Sequence, residues 1–324
     1  MNNLLGKIRE KGITGIVLAL YYRRFLPIYF LTGFFLITLF LLLRPFIQIK
    51  IGRLFEQRIG HLAIEPEIFL RQLKLGSISN KPFYMFLCDP KKVANRQIYR
   101  MLKGKLRIIE SQFLLSVYQT VLPILKTIPL FQPLSHSIEN CLEFAKASPV
   151  LKFNKLEELQ GDEMLSRLGF VKGEDWFVCI FARDSAYLNK TIPNGDWRYH
   201  NIRNIDIDKF NEATQFLLDQ GAWVFRIGSV VEKPMKISHP RLIDYPYSDI
   251  CCDFMDVYLV AKAKFILGTS SGITNTAWVF NVPTMMIGTV HFLDIPLGKN
   301  SFFIPKKIKD LLSDSYLSFF VALR

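Results

Sequence analysis

The sequence has little of what a disulfide-bonded or zinc-binding protein needs. It contains only five cysteines and five histidines in 324 residues. The number of cysteines is odd and most of them stand in apolar runs, which is typical of buried thiols in a reducing compartment. No group of histidines and cysteines has the spacing of a zinc site. The sequence therefore predicts neither a disulfide framework nor bound zinc.

Common nucleotide-binding signatures are also missing. There is no P-loop G-x-x-x-x-G-K and no G-x-G-x-x-G after a strand, which argues against ATPases and dehydrogenases. There is no zinc-finger spacing, RNP-type aromatic run or dense Lys/Arg block, so nucleic acid is not a predicted partner. The formal net charge is nevertheless +13. It indicates anionic partners, such as lipid headgroups or phosphorylated substrates.

One long stretch carries no charge. Phe25 to Leu43 is uncharged, with Arg23 and Arg24 before it and Arg44 after it. As a helix it is just long enough to span a hydrocarbon core of ~30 Å. No small-residue cleavage site follows, which argues against a signal peptide. We predict a membrane anchor over residues 1–45; the alternative is a buried core helix.

The charges that flank this stretch do not orient it. Five basic residues precede it and four follow it, so the positive-inside rule favours neither direction: Lys7, Arg9, Lys11, Arg23 and Arg24 against Arg44, Lys50, Arg53 and Arg58. The unpaired cysteines suggest a reducing compartment. We therefore expect a chain anchored at the inner membrane with its remaining domains in the cytoplasm.

Beyond the anchor, strand-like and helical patterns alternate, which predicts an α/β protein with parallel sheets. We expect two Rossmann-like, doubly wound domains, over residues 46–160 and 161–324. A helix with Pro66 in its first turn is expected at Leu62–Leu75, and a long helix at Phe113–Leu130. Strands of the second domain are expected at Trp176–Phe181, Trp223–Ile227, Leu242–Asp244, Phe265–Leu267 and Pro283–Ile287.

The most informative segment is Gly-Thr-Ser-Ser-Gly at 268–272. An apolar strand pattern precedes it and a helical pattern follows it. This arrangement aims free backbone N–H groups and the positive end of a helix dipole at one point, which suits a phosphate. We predict that Ser270, Ser271 and Gly272 bind phosphate oxygens. The alternative is that the turn is only a helix cap.

The same letters spell G-x-S-x-G, the nucleophile elbow of hydrolases, with Ser270 as the nucleophile. That interpretation requires an acid and then a histidine later in the chain. The only later histidine is His291, and no Asp or Glu lies between it and Ser270; Asp294 comes after it. A serine hydrolase is therefore the alternative function, not the first one.

Two more loops follow strands of the second domain. Arg183 and Asp184 come after the first strand, and Gly228 and Ser229 after the second. The carboxyl ends of parallel strands share one edge, where such sheets bind ligands, so these loops and the turn at 268–272 should converge. Arg183 would neutralise a diphosphate bidentately. The alternative is that Arg183 and Asp184 form a solvated ion pair.

Asp206-Ile207-Asp208 resembles the D-x-D metal pair of some sugar transferases. Here it opens a predicted helix, where aspartate is a preferred cap, so we predict no metal site. His61 stands in a basic turn before a helix and is a candidate general base, or alternatively a structural residue. The polar and aromatic loop from Tyr199 to Asn204 lines a sugar site or is an ordinary loop.

Together these segments resemble an uncharacterised family of bacterial proteins identified as glycosyltransferases. The order and spacing of the motifs agree, although each motif alone is weak. The resemblance covers about Arg53 to Gly288. The matching segments are Arg58–Ala63, Ala94–Arg96, Arg183–Asp184, Tyr199–Asp206, Arg226–Ser229, Asp253–Ala261 and Gly268–Gly272.

The resemblance implies a GT-B arrangement, in which two Rossmann-like domains face a cleft. It also implies a nucleotide-sugar donor bound by the C-terminal domain, with no bound metal and no separate cofactor. The arginine at a strand end and the Ser-Ser-Gly turn are distantly similar to fucosyltransferase-type enzymes. GT-B chains usually finish with a helix that returns to the first domain. Only Ile308 to Arg324 remains here, so we expect a truncated C-terminal domain.

The function we expect is transfer of a sugar from a nucleotide-sugar to a surface polysaccharide or lipid-linked glycan. Arg183 and the turn from Ser270 to Gly272 would stabilise the leaving diphosphate. Asp184 and His61 are the candidate bases that deprotonate the acceptor. The alternatives are the serine hydrolase and a non-catalytic membrane-bound scaffold for polysaccharide assembly.

Overall fold

A computed structural model of the chain describes residues 24–135, 146–191, 195–290, 300–310 and 312–318. His291 and Asp294, which entered the hydrolase interpretation, lie outside these ranges, as do residues 1–23 and the last six residues. The chain divides into two compact units: Met1–Lys152 with Leu188–Asp196, and Phe153–Tyr187 with Trp197–Arg324. Each unit contains a parallel sheet with helices, which confirms the predicted α/β class.

The first unit contains a three-stranded parallel sheet in the order β1-β2-β3. Short loops connect the strands to the helices, as expected for α/β units. Its elements are α1 (Arg24–Leu43), β1 (Ile49–Arg53), α2 (Ile59–Leu75), β2 (Phe83–Cys88), α3 (Arg96–Lys103), β3 (Ile108–Glu110) and α4 (Gln112–Leu125).

After α4 the chain returns to the open side of β1. Ile51 N–H donates to Leu130 O at 2.7 Å, and Gln132 N–H donates to Ile51 O at 2.9 Å. A Cβ on Gly52 would lie 2.4 Å from Gln132 O, so only glycine allows this approach. The strand order therefore reverses beside β1, as in a doubly wound sheet. Because the pairing is a single bridge at Phe131, the sequence carries no strand pattern for it.

Adjacent residues of β2 face opposite sides of this sheet. The ring of Phe86 packs against Phe69 of α2, with centroids 5.1 Å apart. Leu87 belongs to a buried cluster with Val121 of α4 and Ile37 of α1. Helices thus cover both faces, which explains why β2 reads as a continuous apolar run and not as an alternating one.

Two helix predictions in this unit are wrong in detail. α2 begins at Ile59, so Pro66 lies inside the helix and not in its first turn. The missing N–H of Pro66 costs one backbone hydrogen bond, but burial of most of α2 keeps it helical. α4 ends at Leu125 and not at Leu130, because residues 130–132 are taken up by the pairing with β1.

The second unit is built on a six-stranded parallel sheet in the order β6-β5-β4-β7-β8-β9. β4 therefore lies between β5 and β7, and the strand order reverses between β4 and β7. Its elements are α5 (Lys155–Ser166), β4 (Phe177–Phe181), α7 (Asn211–Asp219), β5 (Trp223–Arg226), β6 (Leu242–Asp244), α8 (Asp253–Lys262), β7 (Ile266–Gly268), α9 (Gly272–Val279), β8 (Thr284–Thr289) and β9 (Phe302–Pro305). The short helix α6 (Ala186–Thr191) begins in this unit and ends in the segment that belongs to the first.

The strands predicted here are all present, within two residues at each end. Their apolar runs are explained by two buried clusters, since Cys179 belongs to one and its neighbours Val178 and Ile180 to the other. β9 was not predicted. Its residues are all apolar in sequence, Phe302, Phe303, Ile304 and Pro305, yet all four are exposed in the structure.

Candidate functional site

Three loops of the second unit lie side by side at the carboxyl edge of its sheet. Phe181, the last residue of β4, is paired in register with Gly268, the last residue of β7. On the other side, a Cβ on Gly228 would lie 3.4 Å from the Phe181 ring, so the loop after β5 also reaches this point. The predicted convergence of the loops is confirmed. It falls at the reversal of strand order, where doubly wound sheets bind ligands.

Two hydrogen bonds join the loops after β4 and β7. Thr269 N–H donates to Phe181 O at 3.0 Å, and Arg183 N–H donates to Thr269 Oγ1 at 2.8 Å. A Cβ on Gly268 would lie 2.8 Å from Phe181 O, which explains the glycine at this position. Sequence analysis missed the role of Thr269, since its partner lies 86 residues away.

The turn leads directly into α9, and Ser271 is its N-cap. Ser271 is extended, with φ −160°, and its Oγ accepts from Thr274 N–H at 3.3 Å. The N–H groups of Gly272 and Ile273, at the first two helical positions, have no acceptor within the helix. The capping role is thus present, and it leaves the anion-binding capacity of these N–H groups intact.

Asn275 lies one helical turn beyond Ser271. Within the described ranges, its Oδ1 is buried without a hydrogen-bond partner. Because residues four apart share one face of a helix, this oxygen lies on the same side of α9 as Ser271. It would accept from a hydroxyl or N–H group of a bound molecule. Sequence analysis missed Asn275, whose only local signal is its place in the first turns of the helix.

Ser270 does not have the setting of a hydrolase nucleophile. Only 4% of the residue is exposed. A nucleophile elbow presents its serine on a strained, exposed turn. In the part of the chain that the structure describes, the non-glycine residues with positive φ are Asn281, Asn300 and Asp314, so Ser270 has no such strain.

Arg183 is 8% exposed and its guanidinium is held by the 198–204 segment. Nη1 donates to His200 O at 3.2 Å and to Asn204 Oδ1. Burial, followed by the nearby charge of Arg203, lowers the pKa of Arg183 to about 10, so it stays protonated at neutral pH. Because both acceptors are neutral, they hold the guanidinium without neutralising its charge.

Asp184 ties the loops after β4 and β5 together. Its Oδ1 accepts from Ala186 N–H and its Oδ2 from Glu232 N–H, each at 3.0 Å. Ser185 N–H also donates to the Glu232 carboxylate, at 3.2 Å. Both carboxylate oxygens of Asp184 are therefore used in organising the loops. In the same region Gly228 has φ +127°, which favours glycine, and Ser229 is exposed.

His61 lies in the first unit, in the first turn of α2, directly after the reversal beside β1. Its Nδ1 is 2.6 Å from Oε1 of Glu65, one helical turn away. The imidazole is 44% exposed and the Glu65 side chain only 6%. A buried carboxylate thus fixes the ring and leaves Nε2 to exchange protons. The spacing of four residues between His61 and Glu65 is visible in the sequence, but the burial of Glu65 is seen only in the structure.

A second group of carboxylates lies at the start of α8. Tyr245 OH donates to Asp256 Oδ1 at 2.8 Å. Burial raises the pKa of Asp256 to about 6, although this hydrogen bond opposes the shift. Burial and then the charges of Asp256 and Asp253 raise the pKa of Tyr187, in the first turn of α6. Sequence analysis missed this group, since burial produces its unusual protonation.

The carboxylates of Asp206 and Asp208 form ion pairs with lysine side chains. Asp206 caps a short 3-10 helix (Ile207–Phe210), its Oδ1 accepting from Asp208 N–H at 2.9 Å. Lys233 Nζ lies 2.7 Å from Asp206 and 2.8 Å from Asp208. The predicted cap is confirmed for Asp206. Across the described ranges, no three His, Cys, Asp or Glu side chains are grouped to hold a metal ion.

No protein-family model and no curated protein matches the sequence. Among solved structures, the chain is similar to E. coli ADP-heptose LPS heptosyltransferase II, with a TM-score of 0.47, 11% identity and coverage of 79% of this chain and 90% of that one. It is similar to a family 9 glycosyltransferase from Veillonella parvula, with a TM-score of 0.47, 10% identity and coverage of 80% and 86%.

A third similar structure is the iron-containing dodecameric glycosyltransferase TibC from enterotoxigenic E. coli. Its TM-score is 0.43 at 12% identity, with coverage of 82% of this chain and 66% of that one. The fold class given above depends on the strand order of the two sheets and not on these likenesses.

Proposed function

We propose that the protein is a glycosyltransferase whose second unit binds the diphosphate of a nucleotide-sugar. The observation that carries the proposal is the link between Arg183 and Thr269 at the reversal of strand order. It fixes the backbone of Arg183, a buried cation whose side-chain acceptors are neutral, beside the residue that begins the turn into α9. A diphosphate requires this combination of a fixed positive charge and backbone N–H donors.

The chemistry follows from where negative charge develops. In the transfer, the bond between the sugar and the diphosphate oxygen breaks, and the acceptor oxygen forms the new bond to the sugar. Negative charge builds up on the leaving diphosphate, where Arg183 and the N–H groups of Gly272 and Ile273 would stabilise it. Asn275 Oδ1 would accept from a hydroxyl of the donor.

The proton of the acceptor hydroxyl requires a base. Of the two candidates, His61 has a ring that Glu65 holds through Nδ1, so Nε2 is the nitrogen that would take the proton. Asp184 is less suited, since backbone N–H groups occupy both of its oxygens. We propose His61 as the base and Glu65 as the residue that positions it.

We propose a lipid-linked glycan or surface polysaccharide as the acceptor and no metal or separate cofactor. The apolar helix α1 supports an acceptor at the membrane, because it would keep the protein where such molecules are located. The excess of positive charge suits both a diphosphate and an anionic surface.

The test is a calorimetric titration of the full-length protein with a panel of nucleoside diphosphates. Arg183→Ala should weaken the best ligand by about 1.5–3 kcal/mol, or roughly 10- to 150-fold in Kd, because a charge-assisted contact is lost. Arg183→Lys keeps the positive charge, so it should weaken nucleotide binding less than Arg183→Ala does. Ser270→Ala should have a mild effect, since backbone groups carry much of the binding.

Three outcomes would contradict the proposal. A serine hydrolase predicts the opposite ranking, with Ser270→Ala inactive, Arg183→Ala active and Ser270 labelled by a fluorophosphonate. A non-catalytic scaffold predicts no donor-dependent transfer to any membrane glycan. Arg183→Ala that folds and binds nucleotide as tightly as the unmodified protein would show that the diphosphate binds elsewhere.

A further inference from the structure

The apolar helix α1 is packed along one side against its own unit. The ring of Tyr29 contacts the ring of Phe113, with centroids 5.5 Å apart. At Gly33, a Cβ would lie 2.4 Å from Val121, so the backbone of α1 touches α4 there. Ile37 is 7% exposed in the cluster beneath the sheet. The contacts run from Tyr29 to Ile37, across the middle of the helix.

The other sides of α1 and the segment that follows it are uncovered. Contiguous exposed apolar patches of this kind mark surfaces that bind a partner or a membrane. α4 continues the apolar surface through Phe113 and Ile124. The exposed residues of the α1 segment are Leu26, Ile28, Phe30, Leu31, Phe34, Phe35, Leu41, Leu42, Leu43, Phe46 and Ile47.

This packing is incompatible with a helix that crosses a bilayer on its own. α1 is about 30 Å long at 1.5 Å per residue, so spanning would place its middle at the centre of the hydrocarbon. α4, with exposed Gln112 and Gln119, and the sheet behind it would then be at the same depth. Open sheet edges are not tolerated in hydrocarbon, because their backbone groups lose water without gaining partners.

We propose that α1 stays packed on α4 and lies in the plane of the membrane, as a monotopic anchor. The protein body provides the polar side that an interfacial helix needs, and the exposed apolar side enters the headgroup and acyl boundary. Exposed Arg24 and Arg44 at the two ends of α1 and Lys126 beyond α4 complement anionic phospholipid headgroups. The partner surface is therefore an anionic bilayer, entered from one side only.

The first experiment measures flotation of the full-length protein with vesicles of phosphatidylcholine alone or mixed with phosphatidylglycerol. Leu31→Glu with Phe35→Glu should lower the partition coefficient at least ~10-fold, since each charge opposes burial in lipid. Both side chains are more than 60% exposed, so folding should be unaffected. Leu156→Glu, at a 77% exposed site in the second unit, is the matched control and should bind normally.

Anionic vesicles should bind more tightly than neutral ones, and salt should reduce that difference. Equal binding of the double variant and the unmodified protein would overturn the proposal. A loss of self-association in the double variant with vesicle binding unchanged would also overturn it, since the patch would then cover a second copy of the chain.

The second experiment distinguishes a lying helix from a spanning one. Tyr29→Cys with Phe113→Cys should be joined by a short bismaleimide in protein already bound to vesicles, because the two rings are in contact. Leu31→Cys with Phe113→Cys is the control and should react poorly, since Leu31 is 67% exposed away from α4. Peptide mapping identifies the joined pair among the native thiols.

Bound protein that cannot be joined at residues 29 and 113 would show that α1 leaves α4, as a spanning helix must. Gly33→Val gives an independent measurement. A packed α1 predicts a lower melting temperature for this variant, whereas a spanning α1 would expose residue 33 to lipid and leave the melting temperature unchanged. Neither experiment depends on sugar transfer, so their failure and that of the proposed function are separable.

Discussion

At the scale of single residues, the second unit uses neutral groups to hold a charge. Arg183 has a carbonyl and an amide oxygen as side-chain acceptors and a threonine hydroxyl as its backbone partner. Had the guanidinium been paired with Asp184, as the alternative interpretation required, its charge would have been neutralised. Asp184 instead binds two backbone N–H groups. The adjacent residues thus have separate roles, one for charge and one for the loops.

The pairing of His61 with Glu65 predicts unequal losses of activity. His61→Gln removes the proposed base and should lower kcat of sugar transfer by about 10²–10⁴-fold with little change in KM. Glu65→Gln keeps the shape of the side chain but holds the His61 ring less firmly. Its kcat should therefore fall by less than that of His61→Gln, again with little change in KM. Steady-state kinetics measure both, with His239→Gln as a control away from the proposed site. A His61→Gln enzyme with more than half of normal kcat would exclude His61 as the base.

Asp256 predicts a pH-dependent gain in stability on substitution. Its folded pKa is about 6, above the unfolded value of 3.8, so the folded state favours the proton. The favourable contribution of this group is complete below pH 3.8 and is lost as the pH rises through 6. Asp256→Asn, which still accepts from Tyr245, should therefore be more stable than the unmodified protein at pH 7.5, by about 1–3 kcal/mol.

This advantage should shrink between pH 6 and pH 4, since the aspartate then becomes neutral as well. Urea unfolding at several pH values measures it. An advantage that is the same at pH 4 and pH 7.5 would mean that the carboxylate is charged in the folded protein at both.

At the scale of secondary-structure elements, the site depends on how closely β4 and β7 approach. Gly268→Ala would put a Cβ 2.8 Å from Phe181 O, so the strands must shift, at a cost of about 1–3 kcal/mol. Gly104→Ala is the control, because its φ of −73° is helical and its nearest atom is 3.4 Å away. Urea unfolding should show a clear loss for the first variant only. Equal stability of the two variants would contradict the packing at this reversal.

The same two variants also test nucleotide binding, because Gly268 precedes the turn proposed to bind the diphosphate. A shift of β7 moves Thr269 and with it the hydrogen bond to Arg183 N–H. Nucleotide affinity of Gly268→Ala should therefore fall along with its stability, whereas Gly104→Ala should bind normally.

At the scale of the whole molecule, the excess of positive charge favours association with anionic partners. The anionic bilayer proposed at α1 and the diphosphate proposed at the second sheet would both fit this charge. Lys233 and Lys236 form ion pairs with Asp206 and Asp208 and so neutralise this acidic pair.

We accordingly predict that EDTA leaves sugar transfer intact. The charge on the leaving diphosphate would be stabilised by Arg183 and backbone N–H groups, so no metal is required for that role. The measurement is the initial rate with and without EDTA in metal-depleted buffer. Activity that is lost with EDTA, restored by Mn²⁺ and abolished by Asp206→Ala would show that the D-x-D pair binds metal after all.

The sequence by itself determined the α/β class, the strands of the second sheet except β9, and the turn at 268–272. These features are encoded locally, in apolar runs about as long as a strand and in small residues before a helix. The convergence of the three loops also followed, because parallel strands end at a common edge. The cap at Asp206 was equally local, since it joins residues two apart.

Only the tertiary structure decided what each side chain does. Arg183 meets Thr269 across 86 residues, Ile51 pairs with Phe131 through a single bridge, and α1 packs on α4 at Gly33. Burial, which has no local signature, raises the pKa of Asp256 and encloses Glu65. Contacts between distant segments depend on the packing of the whole chain, and so the roles of these residues could not be read from the sequence around them.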